Sequence, residues 1–163
     1  MNSAPPLHID VAENDIPLQA SNTAGKIIAV LSNPSNPDVV AVITERGFAV
    51  WNASDTASIE KDILTEHPEA DPLTKGCWGD QGNSLFLVSG SRIIEFDCAS
   101  NQIDLRLECP VSIVWMGWWT AQSVLVLVTE DKNISFFDFT KEKSFVHQIE
   151  TKGYPSHADL NST

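Results

Sequence analysis

VWMGWWTAQSVLVLVTEDKNISFFDF, residues 114–139, holds three of the five tryptophans and carries charge only around one turn and at Asp138. It divides into three apolar runs. Val114–Trp118 is the first, Val124–Val128 the second and Ile134–Asp138 the third, with Glu130-Asp131-Lys132-Asn133 as the polar break of a hairpin. The second run, Val-Leu-Val-Leu-Val, is the composition of a strand buried on both faces. No stripe at three- and four-residue spacing competes with this strand reading. A membrane helix needs roughly 18–20 apolar residues, and Gly117, Thr120, Gln122 and Ser123 interrupt the stretch well before that.

The same order recurs upstream. Trp78-Gly79-Asp80-Gln81-Gly82-Asn83 precedes the run Ser84–Val88, a break at Ser89-Gly90-Ser91, and then Arg92–Asp97. Earlier still come Ile27–Leu31, Val39–Ile43, a break at Glu45-Arg46-Gly47, and Phe48–Asn52. Each copy closes on an aromatic followed by Asp or Asn: Trp51-Asn52, Phe96-Asp97 and Phe137-Asp138. Their separations are 45 residues (52 to 97) and 41 (97 to 138). One further strand-like segment follows each pair: Ile59–Leu64, Ile103–Leu107 and Phe145–Ile149. Four short strands every 40–45 residues or so is the period of a propeller blade. The expected fold is therefore all-β, an incomplete β-propeller of about three four-stranded blades. The blades are expected at about 26–66, 74–108 and 112–150, with 1–25 as an N-terminal extension and 151–163 as a flexible C-terminal tail.

The three aromatic–Asp/Asn pairs resemble the Trp-Asp dipeptide of WD-repeat blades, although no Gly-His pair precedes a blade. More narrowly, RIIEFDCASNQ (92–102) followed by residues 111–139 resembles consecutive N-terminal propeller blades of clathrin heavy chain and of the vacuolar-sorting tether subunits. That resemblance implies a non-catalytic protein-interaction platform within a larger intracellular assembly, a vesicle-trafficking coat or tether. A general WD-type scaffold subunit of a nuclear or signalling complex is the alternative. The implied location is cytoplasmic, peripheral on membranes only through partners.

Composition narrows the partners. With 10 Lys and Arg against 22 Asp and Glu, the net charge of −12 repels nucleic-acid phosphates and anionic lipid, so neither nucleic acid nor direct membrane insertion is expected. Propellers usually have four to eight blades. Three leave strand edges and sheet faces to be covered by other proteins, by remaining blades, or by a second copy of the chain supplying about six blades in all. Two candidate surfaces stand out. Trp78 and Trp118 hold matching places and are expected in the core, whereas Trp115 and Trp119 have no earlier counterpart and are candidate partner-binding residues. The connection 53–73 carries Asp62, Glu66, Glu69 and Asp71 as a candidate acidic docking surface, with a short helix allowed from Asp55 or Ser58.

Chemistry is sparse. His8, His67, His147 and His157 are scattered without metal-ligand spacing. Cys77, Cys98 and Cys109 form no CxxC, and the N-terminus MNSAPPLHIDVAENDIPLQ lacks the pattern of a secretory leader, so reduced thiols are expected. The sequons at Asn52, Asn133 and Asn161 are then without consequence. Ser58-Ile-Glu-Lys61 matches Ser-x-x-Lys in letters alone, and no phosphate loop or nucleophile elbow is present. No catalytic residue, metal or cofactor is expected.

Overall fold

The structure is a computed structural model that describes residues 25–140 and the backbone of 143–148. The sequence expectations for 1–24 and 149–163, including the extension and the tail, lie outside the described residues. Twelve strands form three four-stranded antiparallel meanders, each pairing its strands in chain order. The first sheet is β1 (Ile27–Ser32), β2 (Val39–Thr44), β3 (Gly47–Asn52) and β4 (Ala57–Asp62). The second is β5 (Leu73–Gly79), β6 (Ser84–Ser89), β7 (Arg92–Asp97) and β8 (Gln102–Glu108). The third is β9 (Ile113–Trp119), β10 (Val124–Thr129), β11 (Asn133–Asp138) and β12 (Lys143–Gln148). A single turn of helix, α1 (Ile63–Glu66), follows β4.

The sheets stand side by side, with β5 packed beside both β1 and β9. First strands thus neighbour first strands, and the sheets radiate outward as blades do. An incomplete β-propeller of three blades is the architecture expected from the repeat. Two backbone hydrogen bonds recur at equivalent places: Leu73 N–H to Glu45 O at 2.8 Å joins the first two blades, and Ile113 N–H to Gly90 O at 3.1 Å joins the second and third.

Both faces of a blade are apolar because strand residues alternate. Ala41, Ile43, Phe48 and Val50 of the first blade meet Trp78, Leu85, Leu87 and Phe96 of the second in one buried cluster. Phe48 and Phe96 are tilted rings 5.0 Å apart. On its other face the second blade gives Phe86, Val88 and Ile93 to Met116, Leu125 and Leu127 of the third. The middle strand β6 is buried at every residue. A methyl group on Gly79 would lie 2.5 Å from Phe86 and 2.7 Å from Trp118, so this glycine makes room for the Trp118 ring.

The aromatic–Asp/Asn pair now has a physical account. The aromatic points into the sheet face, and the next side chain closes the β3–β4 type of turn by accepting the backbone N–H two residues on. Asn52 accepts from Ser54 at 3.0 Å, Asp97 from Ala99 at 2.9 Å and Asp138 from Thr140 at 3.0 Å. A second repeat is less visible in the letters. Thr44, Ser89 and Thr129 end the second strand of each blade, all buried, and each lies opposite a first strand that bulges there: Ile27/Ala29, Leu73/Lys75 and Ile113/Trp115.

Of the two readings open for this segment, strand holds through Asp62 and a short helix follows from Ile63. Ile59 belongs to β4, and Asp62 caps α1 by accepting from Thr65 N–H at 3.1 Å. Strand pairing with β3 wins for Ala57–Asp62, because all six of those residues find a partner on β3.

Asp97 yields a test of the turn. The hydrogen bond from Ala99 N–H, with that from Ser100, holds its carboxyl below the ordinary value of 3.8. A depressed folded-state pKa stabilises above the unfolded value and is lost as pH falls through the folded one. Asp97→Ala is expected to lower the melting temperature at neutral pH, and the gap from the parent chain should close as the pH drops below 3.8. Thermal melts across that range check it.

Candidate functional site

Three surfaces compete as sites: the outward face at each end of the blade array and a cleft between the first two blades. The third blade sends Met116 and Trp118 toward the second, where Trp118 stacks on Phe86 at 5.7 Å. Trp118 is half-buried and Trp78 buried, so both tryptophans expected in the core pack between blades. By alternation, Trp115, Gly117 and Trp119 point the other way, across β9's outward face. The pairing of β9, β10 and β11 places Trp115, Val128 and Ile134 in one row and Gly117, Val126 and Phe136 in the next. Trp119 leans on Phe136, ring centres 6.0 Å apart. Trp115, Trp119 and Phe136 are all half-exposed. The indole N–H of Trp119 is enclosed with no hydrogen-bond partner, an arrangement that costs about 1–3 kcal/mol.

At the opposite end, the first blade turns Val30, Ser32, Val40, Val42, Ala49 and Trp51 outward. Val30 is 61% exposed, and Ile27 beside it 53%. Sequence reasoning missed this face, because Val30 and Val40 sit in runs indistinguishable from core strands. Their exposure depends on which blade lies next to them.

Among the carboxylates of the acidic connection, Glu69 and Asp71 both act on Arg92, while Asp62 and Glu66 sit at α1. Asp62 faces Arg46 at 3.3 Å and holds the α1 turn. Desolvation opposes its ionisation, but the Thr65 hydrogen bonds and the Arg46 charge prevail and keep its pKa below 3.8. Glu66 is exposed on α1, and Glu69 lies 3.6 Å from His67. The Asp71 carbonyl accepts from Ser89 Oγ at 2.7 Å. Arg92, paired with Glu108 at 3.0 Å, sits in the field of Glu69 and Asp71. Asp62 is thus ion-paired with an arginine, while Glu69 and Asp71 act electrostatically on Arg92, itself paired with Glu108.

Between the first two blades a cleft of about 410 Å³ opens on the rim, floored by Val39, Val50 and Ile59 and walled by Asn52, Asn83 and Cys98. Asn33 builds its edge. Its Nδ2 donates to Gly82 O at 2.9 Å, while its Oδ1 accepts from Ser35 N–H at 2.9 Å and Asn36 N–H at 3.2 Å. Gly82 has φ of +88°, and a methyl group there would strike Asn33, so the residue must be glycine. Nearby, Trp78 Nε1 donates to Leu31 O at 3.1 Å. A smaller cleft of about 160 Å³ separates the second and third blades, where the Arg106 guanidinium lies 5.0 Å over the Phe139 ring. Arg106 Nε stands 3.3 Å from Glu95 Oε1, an ion pair without hydrogen-bond alignment.

Burial pushes the Cys77 thiol up to about 12. Burial also raises Cys98, with help from Asp97, and Cys109, with help from Asp131. These thiols stay protonated at neutral pH, which suits packing and opposes nucleophilic chemistry. Among the described residues, no group of three or more His, Cys, Asp or Glu side chains could hold a metal ion. No helix among them is long and apolar enough to cross a membrane.

No family model and no curated protein matches the sequence. Solved structures do match in shape. One is an auxiliary nutrient binding protein from Bacteroides thetaiotaomicron VPI-5482, with TM-score 0.61 and 10% identity over 75% of this chain and 30% of that one. Another is the N-terminal domain of Nup159, a propeller-like nucleoporin domain, with TM-score 0.54 and 12% identity over 77% of this chain and 34% of that one. The shared feature is the fold. The chain spans about a third of the length of these two structures.

The Asn33 edge gives a direct test of the rim. Asn33→Ala removes the donor that bridges to Gly82 of the second blade and the acceptor that holds the Ser35 and Asn36 N–H groups of its own loop, and is expected to cost about 1–3 kcal/mol in denaturant unfolding. Asn33→Asp, which keeps the acceptor and loses the donor to Gly82, should fall between the parent and the alanine variant.

Proposed function

We propose that this chain is a non-catalytic protein-interaction platform, the propeller portion of a larger assembly, and that its partner surface is the outward face of the third blade. The observation that carries this reading is the half-exposed set Trp115, Trp119 and Phe136 on a sheet whose opposite face is fully committed to the second blade. Large aromatic groups held on a rigid sheet lose little conformational freedom when a partner covers them, and tryptophan dominates interface energetics for that reason.

Within this reading a membrane-traffic coat or tether is the more specific assembly, supported by the resemblance of residues 92–102 and 111–139 to clathrin heavy chain and vacuolar-sorting tether blades. A scaffold subunit of a nuclear complex is the second reading, favoured by the likeness to the Nup159 domain. The acidic connection is placed second because Asp62 is ion-paired with Arg46 and Arg92 lies in the field of Glu69 and Asp71.

Affinity capture from the source organism, with quantitative mass spectrometry, tests the reading. The double variant Trp115→Ala, Trp119→Ala is expected to retain at least about tenfold less of the specific partners. Glu66→Gln with Glu69→Gln should leave capture unchanged. The opposite pattern would place the docking surface on the acidic connection. Recovery of coat or tether subunits, as against nuclear proteins, decides between the two assemblies.

A further inference from the structure

We infer that the outward face of the third blade is shaped to receive the outward face of the first blade of a second copy of this chain. The two copies would stand head to tail and form a ring of six blades. The inference rests on reading those faces as interaction surfaces and names their occupant.

The chain contains this type of contact twice. In each, the forward face of one blade meets the backward face of the next, and the backward face brings a tryptophan from its first strand: Trp78 paired with Leu85 in the second blade, Trp118 with Leu125 in the third. The first blade has Ser32 at that position, paired with Val40. Its backward face therefore lacks one indole of volume, and Ser32 is exposed.

The forward faces differ in the complementary sense. The position after the tryptophan is Gly79 in the second blade, and the space it leaves holds the incoming Trp118. In the third blade that position is Trp119, paired with Val124. A following blade that carried the usual tryptophan would meet the Trp119 ring. A following blade with serine there would leave room for it. The first blade of this chain is such a blade, and Val30, Val40 and Trp51 surround its Ser32 with apolar surface.

Charge sets the conditions. The centre of each face is uncharged. Val30, Ser32, Val40 and Trp51 lie over the already buried Val42 and Ala49 on one, with Glu60 beside Ala49. Trp115, Gly117, Trp119 and Phe136 lie around the already buried Val126 and Val128 on the other, with Asp138 beside Val124. Each chain nevertheless carries −12. Repulsion between copies is thus long-range, and salt screens it without breaking the contact. Six blades lies within the usual range for closed propellers.

Sedimentation of the full chain gives the test. At micromolar concentration a species of twice the 17.9 kDa chain mass is expected, and it should strengthen between about 20 mM and about 500 mM salt. Trp119→Glu alters the forward face only and Val30→Glu the backward face only. Each variant alone should be monomeric, with affinity reduced on the order of a hundredfold, and each should retain the parent's circular dichroism. Mixed one to one, they should pair again, because one forward and one backward face remain intact between them. A parent chain that stays monomeric, an open-ended polymer, or a mixture that fails to pair while both variants are folded would overturn the inference. A monomeric parent whose capture of other proteins still depends on Trp115 and Trp119 would overturn the ring and leave the platform intact.

Discussion

A sheet that is apolar on both faces can bury itself only between two neighbours, and this constraint governs the molecule. The second blade satisfies it: Leu85, Leu87 and Phe96 pack backward while Phe86, Val88 and Ile93 pack forward, and β6 has no residue left at the surface. The flanking blades have the same composition but a described neighbour on one side only. Their outward faces consequently hold half-exposed tryptophans and an exposed Val30, which in a two-layer fold would be turned inward. Stability and binding draw on the same surface here. A partner that covers Trp119 gains only the part of the roughly 1.5–3 kcal/mol of full side-chain burial that its remaining exposed area leaves.

The turns convert this packing demand into a repeat of fixed length. A blade must reverse its chain three times over a few residues each. The Asx turns at Asn52, Asp97 and Asp138 and the buried hydroxyls of Thr44, Ser89 and Thr129 mark two of those reversals in every copy. The hydroxyls satisfy backbone groups that burial would otherwise orphan: Thr44 Oγ1 donates to Gly47 O at 3.3 Å, and Thr129 Oγ1 lies the same distance from Asn133 O. Ser89 solves the problem differently, by reaching Asp71 O in the segment leading to β5.

The range of each interaction decides how much of this was legible in the sequence. Strand positions and the blade period come from alternation and local turn chemistry, so residues such as Val124–Val128 and Phe137-Asp138 announce themselves. The aromatic–Asp/Asn pair was visible as a repeat, although its cause, an acceptor two residues before the N–H it holds, needs the folded turn. Asn33 was hidden: within Asn33-Pro34-Ser35-Asn36-Pro37-Asp38 it looks like loop composition, and its partner Gly82 is 49 residues away. The hydroxyl repeat escaped notice because Thr, Ser and Thr end apolar runs without sharing a letter pattern. Ile59, Ile63 and Leu64 satisfy helical as well as strand spacing, and the folded chain divides them: β3 gives Ile59 a strand partner in Val50, and α1 begins at Ile63. Trp115 and Trp119 were singled out for having no counterpart, and both lie on an outward face.

The position shared by Asn33, Gly79 and Trp119 shows how one site in a repeat can change role with its neighbour. In the first blade a carboxamide reaches across to Gly82 and ties the rim. In the second, the absence of a side chain admits the ring of the next blade. In the third, a large ring occupies the place itself. A repeat grown by duplication alone would keep one solution throughout. In the first two blades the solution is fitted to the blade that follows. In the third blade the ring of Trp119 thus fills the space that Gly79 leaves open in the second.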